Sequence, residues 1–342
     1  MMVGWRGQEP SGNSLASSAA RTICQVLDYP LFVLGLAGIL AGARWLVTGA
    51  GRLASTLHVA PIVIGLTVVG FGTSAPELVV SAFAAAGDQP ELALGNVVGS
   101  NIANVGLVLG ACAVVAPLRP DLTVLRREGP IMVAVTVVVV GAAHFGTFEQ
   151  WMGLYMLGGA LTYVIVSFLF AGREPELVKE EYREYETRRG LIGVRGLEGH
   201  LALLAAGLAA LIVGARLLVE AAQGIAGDLG VPEFVVASSI IAVGTSIPEL
   251  ATGIVAARRG QADIAVGNII GSNIFNLLGV LGIASAIRAI EVNDERLFDL
   301  YIMLIFAIAG LYLARTGRQL ARWEGGMLLT AYAAFTAFLY SQ

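Results

Sequence analysis

Three blocks of this sequence occur twice at one fixed spacing, and that repetition restricts the chain to a duplicated architecture. GARWLV (Gly42 to Val47) returns as GARLLV (Gly214 to Val219). GFGTSAPEL (Gly70 to Leu78) returns as AVGTSIPEL (Ala242 to Leu250), and GNVVGSNIANVGLVLG (Gly95 to Gly110) as GNIIGSNIFNLLGVLG (Gly267 to Gly282). Each pair lies 172 residues apart, without a gap across three apolar segments. The polar residues are the best-matched part, which duplication of an inert anchor does not explain.

Hydrophobic residues make up 56% of the chain and charged ones 13%, with a mean hydropathy of +0.78. A soluble domain needs more polar surface than that. Apolar runs of the roughly 20 residues that cross a hydrocarbon core recur from Pro30 onward. They cover about 30–54, 60–86, 91–116, 128–146 and 151–171, then 200–226, 233–257, 263–287, 298–314 and 324–340. Open strands leave backbone groups unsatisfied in lipid, so helices are expected. The expected fold is an all-α membrane protein of ten transmembrane helices, built as two five-helix repeats over 30–171 and 200–342. Residues 1–29, polar and Ser/Gly-rich, read as a disordered leader, and 172–199 as a charged linker.

An odd number of helices per repeat makes the second copy enter the bilayer from the opposite side. Inverted halves of this kind are typical of alternating-access carriers, which hold substrate near the midplane where the halves meet. Arginine placement sets orientation. With both termini outside, the inner connections carry Arg52, Arg119, Arg126, Arg127, the linker with its six basic residues, Arg258, Arg259, Arg315, Arg318 and Arg322. The outer side keeps Arg6, Arg21, Arg288 and Arg296. A multi-pass cell-membrane protein with a cytoplasmic linker is therefore expected.

An ionisable residue inside a spanning helix costs roughly 2.5–3.5 kcal/mol and is a functional candidate by default. Glu77 and Glu249 occupy such positions, each preceded by Thr-Ser and a proline. Thr73 with Glu77, and Thr245 with Glu249, share a helix face at i, i+4. Pro76 and Pro248 lack an amide hydrogen, so the helix is expected to break there, exposing hydroxyls and backbone oxygens beside the carboxylates. Ser100 and Asn104, and likewise Ser272 and Asn276, share a face on the following helix. Gly95 and Gly99, with Gly267 and Gly271, form small-xxx-small patches for close packing. Asn101 and Asn273 fall off the shared face and read as partners for broken helix ends. Arg44 and Arg216 read as snorkelling side chains, and His58, His144 and His200 as interfacial.

The candidate donors are all oxygens, which suits Na⁺ and Ca²⁺ rather than zinc or copper. Cys24 and Cys112 read as small hydrophobes. No nucleophile–base set, nucleotide-binding loop or basic stripe for nucleic acid is visible, and the expected partners are the lipid bilayer and the transported ions, with no cofactor.

At these motifs the sequence resembles the cation/Ca²⁺ exchanger superfamily, in its prokaryotic sodium/calcium exchanger branch, from about Pro30 onward. The resemblance implies a central site in which Glu77 and Glu249 are the principal Ca²⁺ ligands. Thr73 and Thr245 would add oxygens, Ser74 and Ser246 would help hold Na⁺, and Ser100 and Ser272 would line flanking Na⁺ positions. Asn104 would sit at the centre, and the carbonyls of Gly70 and Ala242 at the family's backbone-ligand positions. The first and sixth helices would slide as a gate. Some relatives carry aspartate where this chain has Asn276, so the site here has two carboxylates rather than three. The resemblance implies a Na⁺/Ca²⁺ antiporter that extrudes Ca²⁺ as Na⁺ enters; the alternative is a proton-coupled antiporter for Ca²⁺ or another divalent cation.

Overall fold

The computed structural model describes residues 14–87, 89–120, 122–169, 196–228, 244–316, 319–339 and 341. Eleven helices and one two-stranded ribbon make up the described residues. The helices are α1 (Ser14–Leu57), α2 (Pro61–Thr73), α3 (Ala75–Ala86), α4 (Pro90–Val115), α5 (Leu122–Ala143) and α6 (Gln150–Leu169). Then come α7 (Gly196–Asp228), α8 (Ile247–Arg258), α9 (Ala262–Ile287), α10 (Asp294–Thr316) and α11 (Arg322–Leu339). Six are long and apolar enough to cross a membrane, and seven if α2 and α3 count as one bent span. The linker lies mostly outside the described residues.

The helices sort by burial into centre and rim. The most apolar windows of α4 and α9 are 78% buried, whereas those of α1, α6, α7 and α10 are at most 33% buried. On α6 the exposed residues include Trp151, Leu154, Tyr155, Leu161, Ile165 and Leu169. Apolar side chains on that scale turned outward suit hydrocarbon and would be a liability in water. The chain is thus a helical membrane protein with α4 and α9 at its middle.

Glycine decides how closely the helices approach. In α1 and α7 the contact is main chain on main chain, and it repeats under the 172-residue offset. A Cβ on Gly35 would lie 2.7 Å from the Leu218 nitrogen and 2.8 Å from the Gly214 carbonyl oxygen; one on Gly207 would lie 2.6 Å from the Leu46 nitrogen and 2.9 Å from the Gly42 carbonyl. Gly35 and Gly207 are repeat partners, as are Gly42 with Gly214 and Leu46 with Leu218. Low numbers of α1 meet high numbers of α7, so the two equivalent helices run antiparallel.

The expected break is present. Ser74, at φ −83° and ψ 7°, leaves the helical region between α2 and α3, and the two helices meet at 45°. Ser246, at φ −86° and ψ 1°, does the same before α8. In both places proline occupies the first turn of the new helix, where its missing amide costs nothing.

Two features differ from expectation. The stretch read as a disordered leader is helical from Ser14, and α1 passes through Pro30 without ending. Its Ala-rich sequence has nothing to stop a helix except that one proline, and the span simply absorbs it. The second is a set of π-helical turns at Gly65–Val69, Asn104–Leu109 and Asn276–Val280, inside α2, α4 and α9. Each interrupts regular helical register, a device common at functional sites.

Loop pairings tie the two repeats together at both ends. Thr147–Phe148 pairs antiparallel with Ile290–Glu291, and Leu118 bridges Leu320. Gly146, at φ +80°, makes the left-handed turn into the first strand.

Candidate functional site

The broken helices deliver the polar residues to one buried place. Glu77 opens α3 and is 1% exposed; Glu249 opens α8 and is fully buried. Thr73, Ser74, Ser246, Ser272, Asn104 and Asn276 are also buried, as is Ser100 on α4. Thr245 lies in the turn before α8, and the Ser74 hydroxyl of the first repeat meets the Glu249 carboxylate of the second. The two carboxylates are within electrostatic reach of each other. A hydroxyl of one repeat therefore serves the glutamate of the other. Ala242 lies outside the described residues.

Close packing of α2 on α9 closes one side of the site. A Cβ on Gly267 would lie 2.7 Å from the Ile62 carbonyl oxygen, and one on Gly271 would overlap the Leu66 carbonyl. The expected role of this glycine patch is thus observed. At that spacing Thr73 Oγ1 donates to Asn268 Oδ1 at 3.0 Å and lies 3.4 Å from Ser272 Oγ, while Ser272 Oγ donates to the Gly70 carbonyl at 3.2 Å. Ser74 Oγ donates to Glu249 Oε1 at 3.4 Å. Of the other patch, a Cβ on Gly95 would approach only the Arg296 guanidinium, and one on Gly99 would meet nothing within 4 Å among the described residues.

Asn101 and Asn273 correct the sequence reading. Asn276 Nδ2 donates to Asn101 Oδ1 at 3.1 Å, and Asn104 Nδ2 donates to Asn273 Oδ1 at 3.1 Å. The two are therefore engaged with the site asparagines of the opposite repeat, rather than serving broken helix ends alone. The helix-face argument assumes regular turns, and the π segments begin at Asn104 and Asn276.

Sequence reasoning also passes over Asn96 and Asn268, repeat partners within the GN that opens the third block. Asn96 Nδ2 donates to the Glu77 carbonyl at 3.2 Å and to Ser81 Oγ at 2.9 Å, tying α4 to α3. The signal is present in the repeat, beside the glycines that draw attention first. Arg44 and Arg216 are exposed on their helices, and His144 bonds Tyr301 at the end of α5. Cys112 is a free, buried thiol.

After these bonds a set of buried oxygens is left without a partner among the described residues. It includes Glu77 Oε2, Glu249 Oε2, Asn104 Oδ1, Asn276 Oδ1 and Ser246 Oγ, besides Thr252 Oγ1 and Gln261 Oε1, and the Asn268 Nδ2 donor is unpartnered as well. Buried acceptors in such number are rare, and an ion is one of the few things that satisfies them. No group of three or more His, Cys, Asp or Glu side chains occurs among the described residues, so two carboxylates and neutral oxygens define the chemistry.

Known proteins match the chain along most of its length. The sodium/calcium exchanger protein family matches the chain twice, over residues 28–169 and 199–341. The sodium/calcium exchanger MaX1 of Methanosarcina acetivorans is 34% identical, with 92% of this chain and 99% of that protein covered. The inner membrane protein YrbG of Escherichia coli is 36% identical over 92% and 97%. The structure of the sodium-calcium exchanger NCX_Mj superposes with a TM-score of 0.78 at 29% identity, covering 92% of this chain and 99% of that one. A duplicated match over nearly the whole chain and a shared fold carry one conclusion: the chain belongs to the sodium/calcium exchanger protein family.

Proposed function

We propose that this chain is a Na⁺/Ca²⁺ antiporter that works by alternating access, with Glu77 and Glu249 as the principal Ca²⁺ ligands. The observation that carries the reading is a group of five unpartnered buried oxygens, two of them on carboxylates drawn from opposite repeats. Ca²⁺ takes 6–8 oxygens at about 2.3–2.6 Å. Thr73, Thr245, Ser74, Ser246, Ser100, Ser272, Asn104, Asn276 and the carbonyls of Gly70 and Ala242 would complete its shell or hold Na⁺ in turn.

Charge sets the coupling. Two ionised glutamates and one Ca²⁺ sum to zero; the same pair with three Na⁺ sums to +1. Competition for one site then gives exchange that carries net charge and responds to membrane potential. With an inward Na⁺ gradient, Ca²⁺ leaves the cell.

The architecture proposed with this activity is ten spans in two inverted halves, 30–171 and 200–342, with both termini outside. The antiparallel α1–α7 seam supports inversion. So do two loop pairings that are images of each other under the 172-residue offset, 118 with 320 at one end and 148 with 290 at the other. The linker at 172–199 would be cytoplasmic.

Reconstituted protein should take up Ca²⁺ into Na⁺-loaded vesicles at clamped pH. Uptake driven by a pH gradient without Na⁺, and none driven by Na⁺, would replace sodium with protons as the coupling ion. Asn276→Asp adds a third carboxylate to the site and should change the Na⁺ dependence or the ratio of ions exchanged at unchanged expression. Identical Na⁺ and Ca²⁺ dependence would place Asn276 outside the ion path.

A further inference from the structure

We propose that Met303 and Met132 fix the orientation of the site amides through Asn101 and Asn273, so that Asn276 and Asn104 present oxygen, not nitrogen, to the ion. The proposal rests on the reading of this site as a cation site. An amide has an acceptor end and a donor end of nearly the same shape, so only its partners decide which way it faces. A thioether can only accept.

The order of donors follows from that asymmetry. Asn101 Nδ2 lies 3.6 Å from Met303 Sδ and 3.4 Å from the Asn273 backbone carbonyl, both acceptors without a hydrogen to give. Asn101 must therefore turn its nitrogen to them and its Oδ1 to Asn276. Asn276 in turn must donate through Nδ2, at 3.1 Å, and its Oδ1 is the atom left unpartnered. The other repeat has the same chain. Asn273 Nδ2 lies 3.6 Å from Met132 Sδ, Asn104 Nδ2 donates to Asn273 Oδ1 at 3.1 Å, and Asn104 Oδ1 is left over.

Burial makes this arrangement matter. Met303, Met132, Asn101 and Asn273 are at most 3% exposed, so bulk water is not at hand to satisfy a reversed amide. The methionines are not repeat images of each other: the partner of Met132 is Leu304, and that of Met303 is Ile131. Two acceptors reach equivalent asparagines from non-equivalent positions on α5 and α10, so duplication alone does not account for them. A reversed Asn276 or Asn104 would aim N–H groups at the cation and remove a neutral oxygen donor from a site with only two carboxylates.

Met303, Met132, Asn101 and Asn273 are thus positioning residues, and the test separates orientation from packing. Met303→Leu and Met132→Leu keep volume and apolarity but remove the acceptor. In vesicles containing each purified variant, the KM for Na⁺-driven Ca²⁺ uptake should rise about 3- to 10-fold, with maximal rate and ion-free unfolding temperature unchanged. Equilibrium ⁴⁵Ca²⁺ binding should weaken by the same factor. Because Met303 acts through Asn101, Met303→Leu should add nothing to Asn101→Ala. Full additivity in that cycle, or wild-type KM in both methionine variants of an otherwise active exchanger, overturns the relay alone. A wild-type protein that neither binds Ca²⁺ nor exchanges it overturns the cation site and the relay together.

Discussion

Glu77→Gln and Glu249→Gln are each expected to abolish Na⁺-dependent ⁴⁵Ca²⁺ uptake by the purified, reconstituted protein. Glutamine keeps the shape of the side chain and one oxygen but removes one of the two carboxylates that the described residues bring to the site. Removing one partner from a buried charge pair typically costs about 3–5 kcal/mol, roughly 10²- to 4 × 10³-fold in affinity. Both residues are at most 1% exposed, so solvent does little to soften that loss. Folding should survive, since glutamine matches the side chain in shape and needs no counter-charge in the ion-free protein; its unfolding temperature should hold or rise. Near-normal uptake by either variant would remove that carboxylate from the ion path. Equal loss in both would fit a site shared between the repeats, and loss in only one would not.

Gly271→Ala should damage transport nearly as much from a position with no polar group at all. Its new methyl would overlap the carbonyl of Leu66, which is backbone and cannot swing aside. The remedy open to the protein is to move α2 off α9. That stretches Thr73 Oγ1 to Asn268 Oδ1, now 3.0 Å, and Ser272 Oγ to the Gly70 carbonyl, now 3.2 Å, beyond useful hydrogen-bonding range. Overpacking costs about 1–3 kcal/mol in stability, and loss of the two bonds should weaken Ca²⁺ uptake roughly 10- to 100-fold. Gly158→Ala on α6, where a methyl meets nothing within 4 Å among the described residues, is the matched control and should behave as wild type. Wild-type uptake and unfolding temperature in Gly271→Ala would mean that the α2–α9 contact does not set the site.

Much of the site is legible in the amino-acid sequence because duplication prints itself there. A constant offset locates both glutamates, their hydroxyl neighbours and the prolines that break α2 from α3 and precede α8. Chemistry that depends on local spacing is therefore readable. Chemistry that depends on which residue of one repeat meets which of the other is not. Asn101 and Asn104 are three apart in sequence, yet each bonds an asparagine in the opposite half. The π turns that begin at Asn104 and Asn276 also defeat a regular helical wheel. The relay methionines carry no periodic signal, since neither is matched in the other repeat. The helical start at Ser14 escapes for a simpler reason: polarity reads as evidence against helix, although serine and alanine permit one.

The glycine contact between α1 and α7 has a mechanical consequence. Side chains that interlock would let one helix tilt while its neighbour stayed in place, at the cost of a few rotamer changes. Here Gly35, Gly42, Gly207 and Gly214 set peptide against peptide, leaving neither helix slack to tilt alone. Such a pair would move as one stiff lever. In the alternating-access cycle proposed above, a lever that lifts at one membrane face would drop at the other, so the two mouths of the path would not gape together.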